Sequence, residues 1–317
     1  MTDGLKYFKT QGGFFGRYVQ VVQDTMIPYQ YQILNDQIEG AAKSNALANF
    51  ITAAQINETG RHNGAFYGMV FQDSDVAKWL EAAAYSLAIR RDEKLLADVQ
   101  ATVDLIARAQ EPDGYLDTYF TIEAPQRKWT SLQEAHELYC AGHMMEAAVA
   151  LYESIGCDKL IKVMSRFTNH IYQRFMIDGI PGYPGHPEVE LALVRMYHAT
   201  GESKYLELAA HFINVRGVDS DYFIQERKQF PWTVFNMDPH DKSYLQNQVP
   251  LRKMTEATGH AVRMVYLLSG MADIALEYKD ADLAGACRRA WDNITGKRMY
   301  VTGGIGAAYE GEQFTKD

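Results

Sequence analysis

Residues 136–175 read HELYCAGHMMEAAVALYESIGCDKLIKVMSRFTNHIYQRF. Apolar residues recur every three or four positions on both sides of the short polar turn at residues 156–158, and this spacing is typical of amphipathic helices. Because the turn is so short, the two helices must lie antiparallel, side by side. The stretch therefore predicts a helical hairpin.

The same pattern recurs along the chain. The motif Leu-Tyr…Gly…Lys-Leu at 151–160 is echoed 45 residues later by Met-Tyr…Gly…Lys-Tyr at 196–205. Helical periodicity also covers residues 76–90, 93–109, 187–199, 203–215, 259–278 and 282–295. A hairpin cannot bury its apolar face alone, so we expect neighbouring hairpins to stack.

Stacked hairpins predict an all-α domain over residues 1–298, closed as an (α/α)6-type toroid with a pocket at one end. An open α-solenoid, which has no closed pocket, is the alternative. From residue 299 the pattern changes to MYVTGGIGAAYEGEQFTKD, which contains four glycines and no helical period. We interpret residues 299–317 as a Gly-rich active-site loop that is cut short.

Composition and charge narrow the function classes. The formal net charge is -9 and no run of Lys or Arg occurs, which argues against nucleic acid or an anionic membrane as a partner. The three widely spaced cysteines do not resemble a disulfide framework. No signal peptide is recognisable in the first residues, and no apolar stretch approaches the length of a membrane span. We therefore expect a cytoplasmic protein.

Three histidines, His136, His186 and His260, open helical segments in similar surroundings. The positive end of a helix dipole favours the neutral imidazole. If the three converge at one end of a toroid, they would suit recognition of several sugar hydroxyls. The alternative is that each is a polar residue satisfied locally.

A metal site is a second interpretation for part of this set. His136, Cys140 and His143 fall at i, i+4 and i+7, hence on one helical face, and they are zinc ligands by type. A single helix does not readily close a tetrahedral site, and His and Cys on a buried face are commonly just packed. We expect no metal site from this trio.

Carboxylates form the other candidate set, because glycoside hydrolysis needs a proton donor and a nucleophile or base. Glu312 lies in the Gly-rich loop, where a ligand can approach the backbone closely. Asp75 and Asp113 suit helix caps or turns better. The remaining candidates are Asp73, Glu188 and Glu190. No dinucleotide, P-loop, HExxH or GxSxG motif occurs.

The chain resembles glycoside hydrolase family 127, whose type activity is β-L-arabinofuranosidase. The resemblance lies in four strings, in this order: HELYCAGHMMEAAV, GYPGHPEVELALVRMY, TGHAVRMVYL and YVTGGIGAAYEGEQF. Earlier segments are similar as well: PYQYQILND, FQDSDVAKWLEAAAY and QEPDGYLDTYF. The match covers nearly the whole chain.

The resemblance implies an α/α barrel followed by β-rich domains, with retention of the anomeric configuration. It implies a zinc-bound cysteine as nucleophile and a glutamate as acid/base, and it places that glutamate on Glu312. By the same motifs, the sugar-contacting residues are His136, His186 and His260, with Gln30 in PYQYQ as a weaker pocket contact.

Zinc is the cofactor that the resemblance implies for the full-length enzyme. The family's zinc ligands, a Glu-x-Cys pair and a later cysteine pair, lie downstream of the GEQF-like segment, so they have no counterpart in this sequence. None of Cys140, Cys157 or Cys287 occupies those motifs. We therefore expect this chain to be a truncated and inactive form of its parent.

The parent is expected to hydrolyse terminal β-L-arabinofuranosides or similar furanosides, with related plant oligosaccharides as partners. Exposed apolar surface on an isolated helical half would also allow a homodimer. Two alternatives stay open. One is a sugar epimerase or uronyl hydrolase on the same toroid, and the other is a non-catalytic carbohydrate-binding protein.

Overall fold

The computed structural model describes residues 12–62 and 64–315, and within these ranges the chain is helical and forms no β-strand. The all-α prediction is confirmed. The α-helices are α1 (Gly13–Val21), α2 (Ile27–Leu34), α3 (Ala46–Thr59), α4 (Asp73–Ile89), α5 (Glu93–Ala109), α6 (Thr118–Ile122), α7 (Glu137–Ile155), α8 (Lys159–Tyr172), α9 (Val189–Thr200), α10 (Ser203–Val215), α11 (Tyr222–Gln229), α12 (Ala261–Tyr278) and α13 (Ala281–Asn293).

Short helical turns of other types complete the helices. Val22–Met26, Gln173–Ile177 and Ile294–Arg298 are π-helical, and each continues the α-helix before it. Pro125–Arg127, Leu251–Lys253 and Glu310–Glu312 are 3₁₀ turns. Closure into an (α/α)6-type toroid and a domain boundary after residue 298 stay predictions. The prediction of no signal peptide falls largely on residues 1–11, which lie outside the described residues.

Local sequence explains where the helices begin. In α5, the Asp92 side chain accepts hydrogen bonds from the backbone N–H groups of Lys94 and Leu95 and so caps the helix. Leu95 and Val99 then recur at helical spacing and are buried. The cap and the apolar face are both local features, so residues 93–109 were recognisable as a helix from sequence alone.

The chain divides into two compact units. The first comprises Met1–Lys128 and His143–Ile171, and the second comprises Trp129–Gly142 and Tyr172–Asp317. In the first unit, α3 packs against α5 and α6, and α4 packs against α5. Phe50 on α3 is fully buried there. Hairpin stacking thus forms the core of this unit.

The second unit carries most of the candidate site residues. Its helix α9 packs against both α10 and α12, and α12 packs against α13. Leu193 of α9, Phe212 of α10 and Met271 of α12 are fully buried. The stacking of neighbouring hairpins therefore holds α9 and α12 side by side.

The sequence predicts neither a membrane-spanning helix nor a disulfide framework. Among the residues that the structure describes, none of the helices combines the length and the apolar character that a membrane crossing requires. Cys140, Cys157 and Cys287, all described, take part in no disulfide bond.

Candidate active site

Each of the three predicted histidines lies at the start of a helix whose first turn belongs to the second unit. His136 directly precedes α7, and His186 lies three residues before α9. His260 is the N-cap of α12, where its side chain accepts a hydrogen bond from the backbone N–H of Arg263. Helix stacking in this unit therefore decides how closely the three imidazoles approach one another.

The three imidazoles are neighbours. The ring centroids of His136 and His186 are 5.7 Å apart, and those of His186 and His260 are 5.8 Å apart. The Nε2 of His260 lies 3.4 Å from the Oε2 of Glu312. The structure thus gathers into one cluster four side chains that are far apart in sequence. Gln30 lies on α2 in the first unit and is exposed, and its role as a pocket contact stays a prediction.

Close backbone packing brings the first two histidines together. A Cβ on Gly185 would lie 2.0 Å from the carbonyl oxygen of Gln133, so only glycine fits at this position. The N–H of Gly185 donates to the carbonyl of Leu132 at 2.8 Å. The residue before His186 is therefore fixed against the backbone that leads into His136.

The loop that carries Glu312 is attached to the start of α12. Gly259 has a φ of +70°, and a Cβ there would lie 2.2 Å from the carbonyl oxygen of Ser243. Its own carbonyl accepts a hydrogen bond from the N–H of Phe314 at 2.9 Å. The side chain of Phe314 is buried. This attachment places Glu312 next to His260.

Glu312 combines a fixed backbone with an accessible carboxylate. Its φ of +48° lies in the left-handed region, which costs a non-glycine residue free energy and is common at functional sites. Its side chain is 76% exposed, whereas that of His260 is 12% exposed. A ligand can therefore reach the carboxylate while the imidazole beside it stays largely covered.

Aromatic rings surround the imidazoles, and sequence reasoning missed them. Tyr139 and Tyr266 lie 4.5 and 5.6 Å from the His186 ring, measured between centroids. The Tyr244 ring lies 5.6 Å from that of His260. One signal was available, because Tyr139 follows His136 by three residues, a spacing that predicts side chains on one face of a helix.

A buried carboxylate, Glu134, organises the loop beside His136. Its side chain is fully buried and accepts from Arg227 Nη2 and Thr233 Oγ1, each at 2.5 Å, and from the Phe235 N–H at 2.8 Å. Its backbone carbonyl is hydrogen bonded to Nδ1 of His136. The Phe235 ring lies 5.9 Å from the His136 ring. Glu134 therefore links residues 230–237 to the first histidine.

The site favours neutral imidazoles. Burial, together with the positive charge of Arg263, holds the pKa of His186 well below its ordinary value. The same two causes lower the pKa of His260 to about 4, against a partial opposing effect of Glu312. Burial also lowers the pKa of Arg263 to about 10. The sequence predicted neutral histidines from helix dipoles, whereas the largest cause is loss of solvent.

Three of the other candidate carboxylates are held by contacts within the fold. Buried Asp73 accepts from the hydroxyl and the backbone N–H of Thr118. Asp113 accepts from the N–H two residues later, as expected of a turn former. Buried Glu190 lies 3.6 Å from the guanidinium of Arg216. Hydrogen bonds and ion pairs within the fold therefore account for these three carboxylates.

Zinc in proteins is held by a group of His, Cys, Asp or Glu side chains. Within residues 12–62 and 64–315, no three or more His, Cys, Asp or Glu side chains are grouped so that they could hold a metal ion. His136, Cys140 and His143 therefore form no such group. The described residues do not fit the zinc site that the family resemblance implies.

Comparison with known proteins shows which family the chain resembles. The family model described as the beta-L-arabinofuranosidase GH127 catalytic domain matches residues 9–317. A curated relative is the non-reducing end beta-L-arabinofuranosidase of Bifidobacterium longum subsp. longum, which is 39% identical over 324 residues. That alignment covers 96% of this chain and 48% of the relative.

Solved structures agree with this assignment. A GH127 β-L-arabinofuranosidase from Geobacillus stearothermophilus T6 matches with a TM-score of 0.92 and 44% identity, over 98% of this chain and 48% of the other. A second GH127 β-arabinofuranosidase matches with a TM-score of 0.85 and 32% identity, over 99% and 46%. The chain thus spans about half the length of the relatives it matches. It belongs to the GH127 β-L-arabinofuranosidase catalytic domain family.

Proposed function

We propose that this chain binds the terminal sugar and donates the proton in a retaining glycoside hydrolase that acts on β-L-arabinofuranosides or similar furanosides. Family membership and the activities of two relatives support the reaction class. The observation that carries the proposal is the cluster of three imidazoles ending on an exposed carboxylate, Glu312.

The cluster is suited to sugar recognition. A furanose presents several hydroxyl groups, and each can both donate and accept a hydrogen bond. A neutral imidazole has one donor and one acceptor nitrogen, and a nitrogen that is not used within the protein can bind a hydroxyl group. The rings of Tyr139, Tyr244 and Tyr266 add apolar surface for the faces of the sugar. Hydrogen bonds in such a largely covered site are stronger than in water.

Glu312 is the proton donor in this proposal. Bond cleavage needs a proton on the departing glycosidic oxygen, and a positioned carboxylic acid supplies it in most glycoside hydrolases. Its exposed carboxyl group can be reached by the leaving group. Its backbone is anchored through Gly259 and Phe314, so the acid keeps a defined position relative to the imidazoles.

Two of the cysteines are poor nucleophiles where they stand. Cys140 is only 3% exposed, and burial raises the pKa of the Cys287 thiol, which disfavours the reactive thiolate. We assign the nucleophile to neither.

The activity is tested in a chimera in which this chain replaces the matching half of the Geobacillus relative. We expect hydrolysis of p-nitrophenyl β-L-arabinofuranoside and no hydrolysis of the α-anomer, with retention seen by NMR of the first product. The same chimera with His186→Ala, with folding checked by circular dichroism, is the control and should lose activity. A folded chimera that leaves the β-anomer intact contradicts the proposal.

The proposal also covers the natural substrates, the cellular location and the oligomeric state. Natural substrates would be related plant oligosaccharides with a terminal L-arabinofuranose. A cytoplasmic location is supported by the absence of disulfide bonds among the described cysteines, and cell fractionation tests it. The homodimer that the sequence allows is tested by light scattering.

A further inference from the structure

The three imidazoles differ in what their Nδ1 atoms contact. Nδ1 of His136 is hydrogen bonded to the carbonyl oxygen of Glu134, and Nδ1 of His186 lies 2.8 Å from the carbonyl oxygen of Pro187. Nδ1 of His260 instead receives the backbone N–H of Arg263 at 3.2 Å. A carbonyl oxygen only accepts and a backbone N–H only donates, so the first two nitrogens must donate and the third must accept.

These contacts fix the position of the proton on each ring. A neutral imidazole has one N–H and one lone pair, and the partner of one nitrogen decides the state of the other. His136 and His186 therefore carry the proton on Nδ1, which makes Nε2 an acceptor. His260 carries it on Nε2, the atom 3.4 Å from Oε2 of Glu312. Burial lowers the pKa of His186 and of His260, which favours the neutral form of these two rings.

We infer that the cluster is held in two opposite tautomers, in which His260 donates through Nε2 to Glu312 while His136 and His186 present Nε2 as hydrogen-bond acceptors. His260 is then a positioning residue for the proton donor. The other two rings select a ligand that brings hydroxyl hydrogens to them. The statement about the ligand rests on the proposed function, whereas the assignment of tautomers does not.

The surroundings oppose a reversal of the His260 tautomer. His260 caps α12, so moving its proton to Nδ1 would set an N–H against the Arg263 N–H and leave the first turn of the helix uncapped. The His260 backbone also pairs with Gln313, the neighbour of Glu312, in an isolated β-bridge. The ring and the carboxylate are thus held together by backbone as well as by side-chain contacts.

The tautomers can be read directly from this chain. With ¹⁵N-labelled histidine, long-range ¹H–¹⁵N correlation spectra at pH 7.5 separate a protonated Nδ1 from a protonated Nε2, and single His→Gln variants assign the three rings. We expect a protonated Nδ1 for His136 and His186 and a protonated Nε2 for His260. A common pattern for all three rings, or a protonated Nδ1 on His260, overturns the inference.

A second measurement tests the contact between His260 and Glu312. In Glu312→Ala, we expect the Nε2 proton of His260 to exchange with solvent at least about tenfold faster and its resonance to move, because its acceptor is gone. The signals of His136 and His186 should stay in place. Glu310→Ala removes an exposed carboxylate in the same turn and serves as the matched control. An unchanged Nε2 proton in Glu312→Ala shows that His260 does not position this carboxylate.

The ligand statement is tested by titrating the chain with methyl β-L-arabinofuranoside and with three derivatives, in each of which one hydroxyl, at C2, C3 or C5, is replaced by a methyl ether. A methyl ether still accepts but no longer donates, so two of the derivatives should bind about five-fold more weakly. Affinity of every derivative equal to that of the unmodified glycoside overturns this part. If the tautomers are as inferred but none of the sugars binds, the proposed function fails while the tautomer assignment stands.

Discussion

Glu134 accepts a hydrogen bond from the backbone N–H of Phe235, which is 2.8 Å away and 101 residues later in the chain. Its carbonyl oxygen is at the same time the partner of Nδ1 of His136. One residue thus fixes both the orientation of an imidazole and the loop whose Phe235 ring lies beside that imidazole. Any change at Glu134 should therefore alter the loop and the histidine together.

Glu134→Gln is expected to destabilise the protein. The buried carboxylate pairs with Arg227 and receives further donors from Thr233 and Phe235, whereas an amide has one acceptor oxygen and loses the charge. Leaving one partner of such a pair uncompensated costs about 3–5 kcal/mol. Urea unfolding measures this loss. Glu310→Gln, at an exposed carboxylate, is the control, and equal midpoints for the two variants would contradict the role given to Glu134.

Arg263→Met is expected to raise the pKa values of His186 and His260. The guanidinium charge of Arg263 disfavours protonation of both rings, and only burial has a larger effect. Removing the charge should therefore move both values upward, towards the ordinary value of a histidine. NMR pH titration of the labelled rings measures the change. Arg252→Met removes an arginine that pairs with Asp280 instead, and in that control neither pKa should move.

Stability should fall on acidification through the range in which the buried histidines resist protonation. The pKa of His260 is about 4 in the folded chain, against 6.5 for an unperturbed histidine. Between these values the unfolded chain binds a proton that the folded chain excludes, so the free energy of unfolding decreases as the pH falls from about 6.5 to 4. Asp73, whose pKa burial raises to about 6, acts in the opposite direction.

Comparison of variants isolates the contribution of His260 to the loss of stability at low pH. Urea unfolding measures how much the free energy of unfolding decreases between pH 7 and pH 4.5. This decrease should be smaller for His260→Gln than for the unaltered chain, because glutamine does not titrate. His240→Gln changes a ring that is 70% exposed and should leave the difference between the two pH values as it was. The same decrease in unfolding free energy in all three proteins would contradict this account.

The helices were predictable because their signals are local. The cap of α5 at Asp92 and the apolar positions that follow it lie within one stretch of sequence. Likewise, His260 opens α12 as expected, because TGH precedes a periodic apolar run. Closure of the hairpins into a ring depends on contacts between distant helices, which no local signal specifies.

The site was predictable in its chemistry but not in its supporting contacts. Motif resemblance pointed to His186 and Glu312. It did not point to Glu134, because the partners of that buried carboxylate lie about a hundred residues away. Nor did it point to Arg263, whose positive charge acts on His186 although the two residues are far apart in sequence. Such contacts follow from the packing of the second unit, which a single sequence does not encode in any short pattern.

Glu312→Gln should separate proton donation from binding in the chimera with the Geobacillus relative. Loss of a general acid slows a reaction by about 10²–10⁴-fold, but only where the leaving group needs a proton. We therefore expect a large fall in kcat/KM for an arabinobiose and a small fall for a 2,4-dinitrophenyl arabinofuranoside, whose leaving group departs as a stable anion. Glu310→Gln in the same turn should affect neither substrate. Equal losses on both substrates would mean that Glu312 holds the sugar and does not protonate the departing oxygen.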